Sequence, residues 1–353
     1  MKVVEDERLP ADQSMQYVNL ALAPFSLGFR HAQEMFVRAV YEGVDNVYTD
    51  NAGKIEFESI PQLVKQRKLV VLSGAPGVGK STLARKVCQV VCQTPGCHGY
   101  IMVFLIELRD LLQFEEDFKL VDLLQFFQGM MGDTTSPEEV SKAIHRNLGR
   151  DVLFVLDGFD ELPPHLRQAR FLVNLLSHNR DSPLADCDVI LTSRSIVTSE
   201  IYCQMQMSHS QVILTNIEVL GFTQDQIEAY AKQYLTNQRR PDLFDSFVRK
   251  IGAVPQIRGL CSIPIVLSII CQVYLFRENL PPTLTQIYND YLCVKVLKYD
   301  SDLPALDSIL DLPKDHDIYK LGEIAYNCIQ KQKVIFDSAD LHGLGERFSD
   351  RKR

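Results

Sequence analysis

Residues 69–82 read LVVLSGAPGVGKST, and this stretch decides the fold. Leu69 to Leu72 form a short apolar run that leads directly into Gly74-Ala75-Pro76-Gly77-Val78-Gly79-Lys80-Ser81-Thr82, a match to the phosphate-loop pattern G-x-x-x-x-G-K-[ST] between a predicted strand and a predicted helix. Glycines let the backbone wrap so tightly that consecutive N–H groups point inward at phosphate oxygens, and the following helix presents its positive end to them. In that reading Lys80 reaches the β- and γ-phosphates and Ser81 ligates Mg²⁺. The competing reading, a glycine-rich turn that merely caps a helix, does not account for the strand in front of it.

Outward from this loop the chain repeats a strand–helix rhythm. Five apolar runs stand out: Lys68–Ser73, Tyr100–Leu108, Val152–Leu156, Val189–Thr192 and Val212–Leu220. Near-continuous apolar runs separated by helical patterns predict a parallel sheet covered on both faces, an α/β fold. Between the second and third runs, Ser136-Pro137-Glu138-Glu139 predicts a helix start with a hydroxyl cap, followed by Val140, Ile144 and Leu148 on one face and Gly149 as the stop.

The third run ends in Asp157-Gly158-Phe159-Asp160-Glu161, three carboxylates within five residues. Two carboxylates ~5 Å apart repel by about 3 kcal/mol at an effective dielectric of ~20, so such a cluster calls for a cation or a raised pKa. A solvated acidic turn before Pro163 would be the ordinary explanation. Beside a phosphate loop, the expectation is that Asp157 holds the metal through its water shell and that Asp160 or Glu161 orients or deprotonates an attacking water. The fourth run ends in Ser193-Arg194. A strand following the carboxylate strand is commonly inserted beside the phosphate-loop strand, which would bring Ser193 or Arg194 to the γ-phosphate. Arg194 is the candidate sensor.

Composition bounds the rest. The 353 residues carry 37 Lys and Arg against 45 Asp and Glu, a formal charge of −8, which argues against general attraction to nucleic acid or anionic lipid. The length suggests more than one core. Nine cysteines without paired spacing suggest reduced thiols and a cytoplasmic protein. Cys88, Cys92, Cys97 and His98 resemble a metal set, but the first two fall in an apolar helical pattern and no second pair follows. The start, MKVVEDERLP, has no signal-peptide character. Gly259–Phe276 is uncharged, but Pro264 interrupts it, so a buried helix is expected rather than a membrane span. After residue 220 helical signals dominate: a capping box at Thr223 to Gln226, the helix after Pro264, helical patterns over 285–298 and 318–329, and a strand-like KVIF at 333–336. No N-K-x-D segment for guanine is present, which favours adenine.

With these segments in hand, the sequence resembles the NACHT subgroup of STAND-class P-loop ATPases, the nucleotide switch of NOD-like receptors, over about residues 45–353. LDGFDEL at Leu156 to Leu162 is the most specific piece, while VLGFTQDQIEAY at Val219 to Tyr230 and GLCSIPIVLSIIC at Gly259 to Cys271 are also NACHT-like. The resemblance implies an ASCE-type P-loop sheet followed by a helical domain and a winged-helix-like domain. The organisation expected is a lead-in over 1–60, a nucleotide domain over 61–221, a helical domain over 222–282 and a winged-helix-like domain over 283–353. It further implies that Pro264 packs near adenine and that Thr49, in Tyr48-Thr49-Asp50, belongs to a segment closing over the base. The implied cofactors are ATP or ADP with Mg²⁺. The implied activity is a signalling switch with slow hydrolysis, self-association on activation and a role in innate-immune or cell-death-like signalling. The alternative is an AAA-like ATPase that remodels a protein client. Family members continue into a segment bearing a phosphate-contacting histidine and then into repeats. This sequence is expected to be a short NACHT protein or a fragment, without effector domain or leucine-rich repeats.

Overall fold

A computed structural model describes residues 20–24, 55, 57–93, 99–127, 136–145, 151–178, 182, 184–198, 200, 201, 203, 214–299, 308–312 and 316–330. In chain order its elements begin with β1 (Ala21–Pro24), α1 (Ile60–Arg67), β2 (Leu69–Ser73), α2 (Lys80–Gln93) and β3 (Met102–Glu107). Next come α3 (Leu120–Phe126), α4 (Pro137–Ala143), β4 (Val152–Asp157), α5 (Pro164–Arg167), α6 (Arg170–Ser177), β5 (Asp188–Ser193) and β6 (Leu214–Gly221). The remainder is helical: α7 (Gln224–Asn237), α8 (Phe244–Ala253), α9 (Pro255–Leu260), α10 (Pro264–Arg277), α11 (Leu284–Tyr299) and α12 (Asp317–Gln330).

The sheet has the order β1-β6-β2-β5-β4-β3. β6, β2, β5, β4 and β3 run parallel, and β1 lies antiparallel along β6. Among the described residues each of the five expected runs contains a strand. β2, β4 and β5 are buried along their whole length, as central strands covered on both faces must be. β3 is an edge strand, which is why Leu105 stays 38% exposed despite its apolar sequence. Phe104 still stacks on Phe154 of β4, ring centroids 5.1 Å apart. On one face Leu69, Val71, Phe154, Leu156 and Leu191 join a core with α3 and α6, and on the other α2 packs across β3, β4 and β5.

Register places the chemistry. Ser73 pairs with Ser193, and Glu107 with Asp157, so the carboxyl ends of β2, β5, β4 and β3 line up on one rim of the sheet. β5 lies between the phosphate-loop strand and the carboxylate strand, the order that defines the ASCE arrangement expected above. At the opposite rim, Asp188 is fully buried at the start of β5. It accepts from Lys68 Nζ (2.8 Å) and Tyr100 Oη (2.8 Å), and Lys65 Nζ lies 3.5 Å away. Burial and the Asp188 charge push the Tyr100 hydroxyl well above the usual phenol range.

The chain divides into two compact units within α10, one running to Cys271 and one beginning at Gln272. In the first, Thr223 N donates to Gln226 Oε1 (2.8 Å), as the capping box requires. α10 begins at Pro264 and keeps Val266, Leu267, Ile270 and Cys271 buried. Among the described residues no helix is long and apolar enough to cross a membrane. In the second unit, Cys293 and Val296 of α11 pack with Leu312 and, from α12, Ile318.

One local expectation needs correction, and others fall beyond the described residues. Ser136 precedes α4, but its hydroxyl donates to Glu138 Oε2 (2.6 Å) and makes no cap hydrogen bond. Within the lead-in over 1–60, Ala21–Pro24 contributes a strand to the sheet. It is four residues long and carries Pro24, so it shows no apolar alternation and sits at the only kind of position, an edge, where proline fits a sheet. Leu148, Gly149, Cys97, His98, Thr49 and the 333–336 segment lie outside the described residues.

Candidate nucleotide site

The loop from Gly74 to Gly79 joins β2 to α2 in the conformation its glycines permit. Gly77 and Gly79 have φ of +76° and +98°, the left-handed region that side chains disfavour. Gly74 is required for a different reason: a Cβ there would come within 2.7 Å of the Val219 carbonyl oxygen on β6. Ala75, Pro76 and Val78 complete the loop, with Pro76 exposed and Val78 buried. The N-terminus of α10 sits on it. A Cβ at Gly77 would meet Ile265 Cγ2 at 2.5 Å, and Ile265 N donates to Gly77 O at 3.5 Å. Pro264 is thereby placed beside the loop, also touching the β6 end, where a Cβ on Gly221 would lie 3.8 Å from Pro264 Cδ.

Lys80 opens α2 and folds its ammonium back over the loop, donating to the carbonyls of Gly74 and Ala75 at 3.0 Å each. Burial pulls its pKa down, and the charges of Asp160, Asp157 and Glu161 oppose that pull. Those carboxylates therefore lie close enough for their charges to act on the same ammonium. Ser81 follows, half-buried, and Thr82 is exposed.

Asp157 ends β4 almost fully buried. Its Oδ1 accepts from Thr192 Oγ1 (2.5 Å), and the same hydroxyl accepts from Gly158 N (2.8 Å). Thr192 thus fixes the carboxylate rotamer and the start of the turn together. It is one of the residues that sequence reading missed, because a threonine inside an apolar run carries no signal of its own. Gly158, with φ of +87°, turns the chain so that Asp160 and Glu161 follow at the rim. A hydroxyl from Ser81 and a carboxylate from Asp157 would offer oxygen donors only, the chemistry a hard cation such as Mg²⁺ takes.

Arg194 leaves β5 at the same rim and engages Asp160 twice: Nε lies 2.8 Å from Oδ2, and the backbone N donates to Oδ1 at 3.1 Å. The Arg194 side chain remains 52% exposed while that of Asp160 is 11% exposed. Glu161 is an exposed residue whose carboxyl is held partly out of water. That desolvation comes first in raising its pKa, followed by Asp160 and Asp157, with Arg109 and Arg194 opposing. Glu107, Asp157's partner across the register, accepts from Arg85 of α2 (2.6 Å) and from Arg109. Burial alone would raise Glu107, but the two guanidiniums outweigh it and hold its pKa below the usual range. Neither arginine was legible in the sequence, since each reads as an ordinary solvated charge.

The site therefore brings together, on one rim, a glycine loop, a lysine, a buried aspartate, two further carboxylates and an arginine. A family model for the NACHT domain matches residues 68–238. The chain carries a NACHT P-loop NTPase domain. Such a domain binds a nucleotide. The relatives agree in kind. "NACHT, LRR and PYD domains-containing protein 1a allele 1" of Rattus norvegicus is 26% identical over 302 residues, covering 80% of this chain and 22% of that protein. "NACHT, LRR and PYD domains-containing protein 10" of Homo sapiens is 26% identical over 293 residues, covering 77% of this chain and 41% of that protein. This chain thus spans less than half the length of these relatives. Among solved structures, the Walker-type ATPase paby2304 of Pyrococcus abyssi aligns with a TM-score of 0.42 at 16% identity, over 83% of this chain and 87% of that one.

Proposed function

We propose that the NACHT domain is an ATP/ADP switch with slow hydrolysis. The observation that carries this reading is the Arg194–Asp160 pair. The guanidinium that could bind a γ-phosphate is engaged by a carboxylate beside Lys80. A triphosphate would offer Arg194 a stronger bidentate acceptor and a diphosphate would not, so the two nucleotides would differ in affinity for the two arrangements. A ligand shifts a conformational equilibrium only by such a difference.

In this reading the loop amides and Lys80 bind the phosphates, Thr82 supports the loop, and Ser81 and Asp157 would hold Mg²⁺, which would supply charge neutralisation to the phosphates. Glu161, with its raised pKa, accepts the proton of a water attacking the γ-phosphorus as the bond to the β–γ bridging oxygen breaks and ADP leaves. Asp160 orients that water only when Arg194 releases it, which makes turnover slow. Adenine would pack near Pro264, with Thr49 on the closing segment. The helical stretch 222–282 and the winged-helix-like stretch 283–353 would move when ATP replaces ADP, permitting self-association in a cytoplasmic innate-immune or cell-death-like pathway.

Lys80→Ala tests the reading: calorimetric titration with ATP should show binding to the wild-type chain and none to the variant. Equal affinities would end it. Steady-state turnover of hundreds per second would instead favour a working remodelling ATPase.

A further inference from the structure

We propose that Arg167 is the positioning residue for the carboxylate turn, and that through Glu200 it ties this turn to the chain segment carrying Arg194. The proposal rests on the roles just given to Asp160 and Glu161.

The turn from Gly158 to Leu162 has few hydrogen bonds of its own. Glu161 N donates to Gly158 O (2.9 Å) and Leu162 N to Phe159 O (3.3 Å), the weak closure expected of a single 3₁₀ turn. Phe159 and Leu162 anchor it in the core at 0% and 1% exposure, but apolar anchors fix depth better than they fix the direction of the intervening carboxylates. Arg167, at the end of α5, supplies that direction. Its Nε donates to Leu162 O (2.7 Å), its Nη2 to Asp160 O (3.1 Å) and its Nη1 to Glu200 Oε2 (2.8 Å). One planar fork thus spans both ends of the Asp160–Leu162 peptide run, with its carbon 5.9 Å from the Phe159 ring centroid.

The third bond reaches beyond the turn. Glu200 lies six residues after Arg194 in the sequence, in the segment that follows β5. Asp160 is consequently gripped twice, at its carboxylate by Arg194 and at its carbonyl by Arg167. The two arginines are linked by the chain from 194 to 200. Lysine cannot substitute: an ammonium on a flexible stem lacks the rigid fork that serves two carbonyls and a carboxylate at once.

The full-length chain is compared as wild type, R167K, R167A and E200Q. The readouts are fluorescent-ATP affinity, single-turnover hydrolysis of γ-labelled ATP at saturating protein, and hydrogen exchange of the peptide covering 158–162. The expected result is affinity within about threefold of wild type in every variant. R167K and R167A should hydrolyse about 10- to 100-fold more slowly, the scale of a misplaced catalytic group, and E200Q less severely, with faster exchange in the turn. R167K carries the test if R167A fails to fold. Wild-type hydrolysis by R167K would overturn the proposal, as would losses of rate and affinity in equal measure, the mark of a general structural role. If the wild-type chain neither binds nor hydrolyses ATP, the proposed function fails, while exchange in the turn still decides whether Arg167 orders it.

Discussion

Glu161 is held partly out of water beside Asp160 and Asp157, so two opposite demands meet on one carboxyl. A raised pKa makes it a better proton acceptor near neutrality, yet it means that the folded chain disfavours its charge. Glu161→Gln should therefore retain nucleotide binding and lose hydrolysis by at least about 100-fold, the lower range for a general base, as read by phosphate release. The same variant should melt above wild type at neutral pH. A carboxyl whose folded pKa is raised binds its proton more tightly folded than unfolded, so its destabilising charge appears as pH rises past the unfolded value of about 4.3. The melting-temperature difference should shrink on acidification, and hydrolysis by the wild type should fade at a higher pH than an ordinary glutamate would dictate. A melting difference that stays constant with pH would contradict this account.

Among the elements, the phosphate loop and its strand are where sequence and structure coincide most closely. The pattern at 74–82 specifies backbone conformation directly: glycines appear where φ is positive or a neighbouring strand is too near, and lysine where a helix begins. Gly74→Ala forces a methyl to 2.7 Å from a β6 carbonyl, and the cost should be about 1–3 kcal/mol in urea unfolding, as for overpacked cores. The carboxylate strand was legible for the same reason, because an apolar run ending abruptly in acids is chemically conspicuous. Thr192, Arg85 and Arg167 were not, since their roles depend on partners 35, 22 and 33 residues away in sequence that only folding brings near. Asp188 belongs to this second class. Placed after a cysteine in DCDVI, it looks like a strand-edge acid, whereas it is fully buried under Lys68, Lys65 and Tyr100. Asp188→Ala should cost about 2 kcal/mol in denaturant unfolding, less than a fully buried pair, because both lysines keep about a third of their side-chain surface exposed. Nucleotide affinity, set at the other rim, should be unaffected.

At the scale of the whole molecule, the switch reading makes a prediction about mass and size. The chain as purified should release ADP on denaturation, read by chromatography, and its particle mass should rise when ATP replaces it. A chain of identical hydrodynamic size with either nucleotide would instead use the ligand only for stability. The edge strand Ala21–Pro24 bears on any such measurement. It covers β6 on the outer side of the sheet, and Leu20 beside it reaches the phosphate loop, where a Cβ on Gly79 would stand 2.9 Å from Leu20 Cδ1. A recombinant fragment trimmed to the family match at residue 68 would discard that cover, leaving a bare ladder of amides and carbonyls along Ile217–Gly221 on which a second molecule could add its own strand. Clumping in such a shortened preparation would report a cut edge, and should not be mistaken for the nucleotide-driven assembly proposed above.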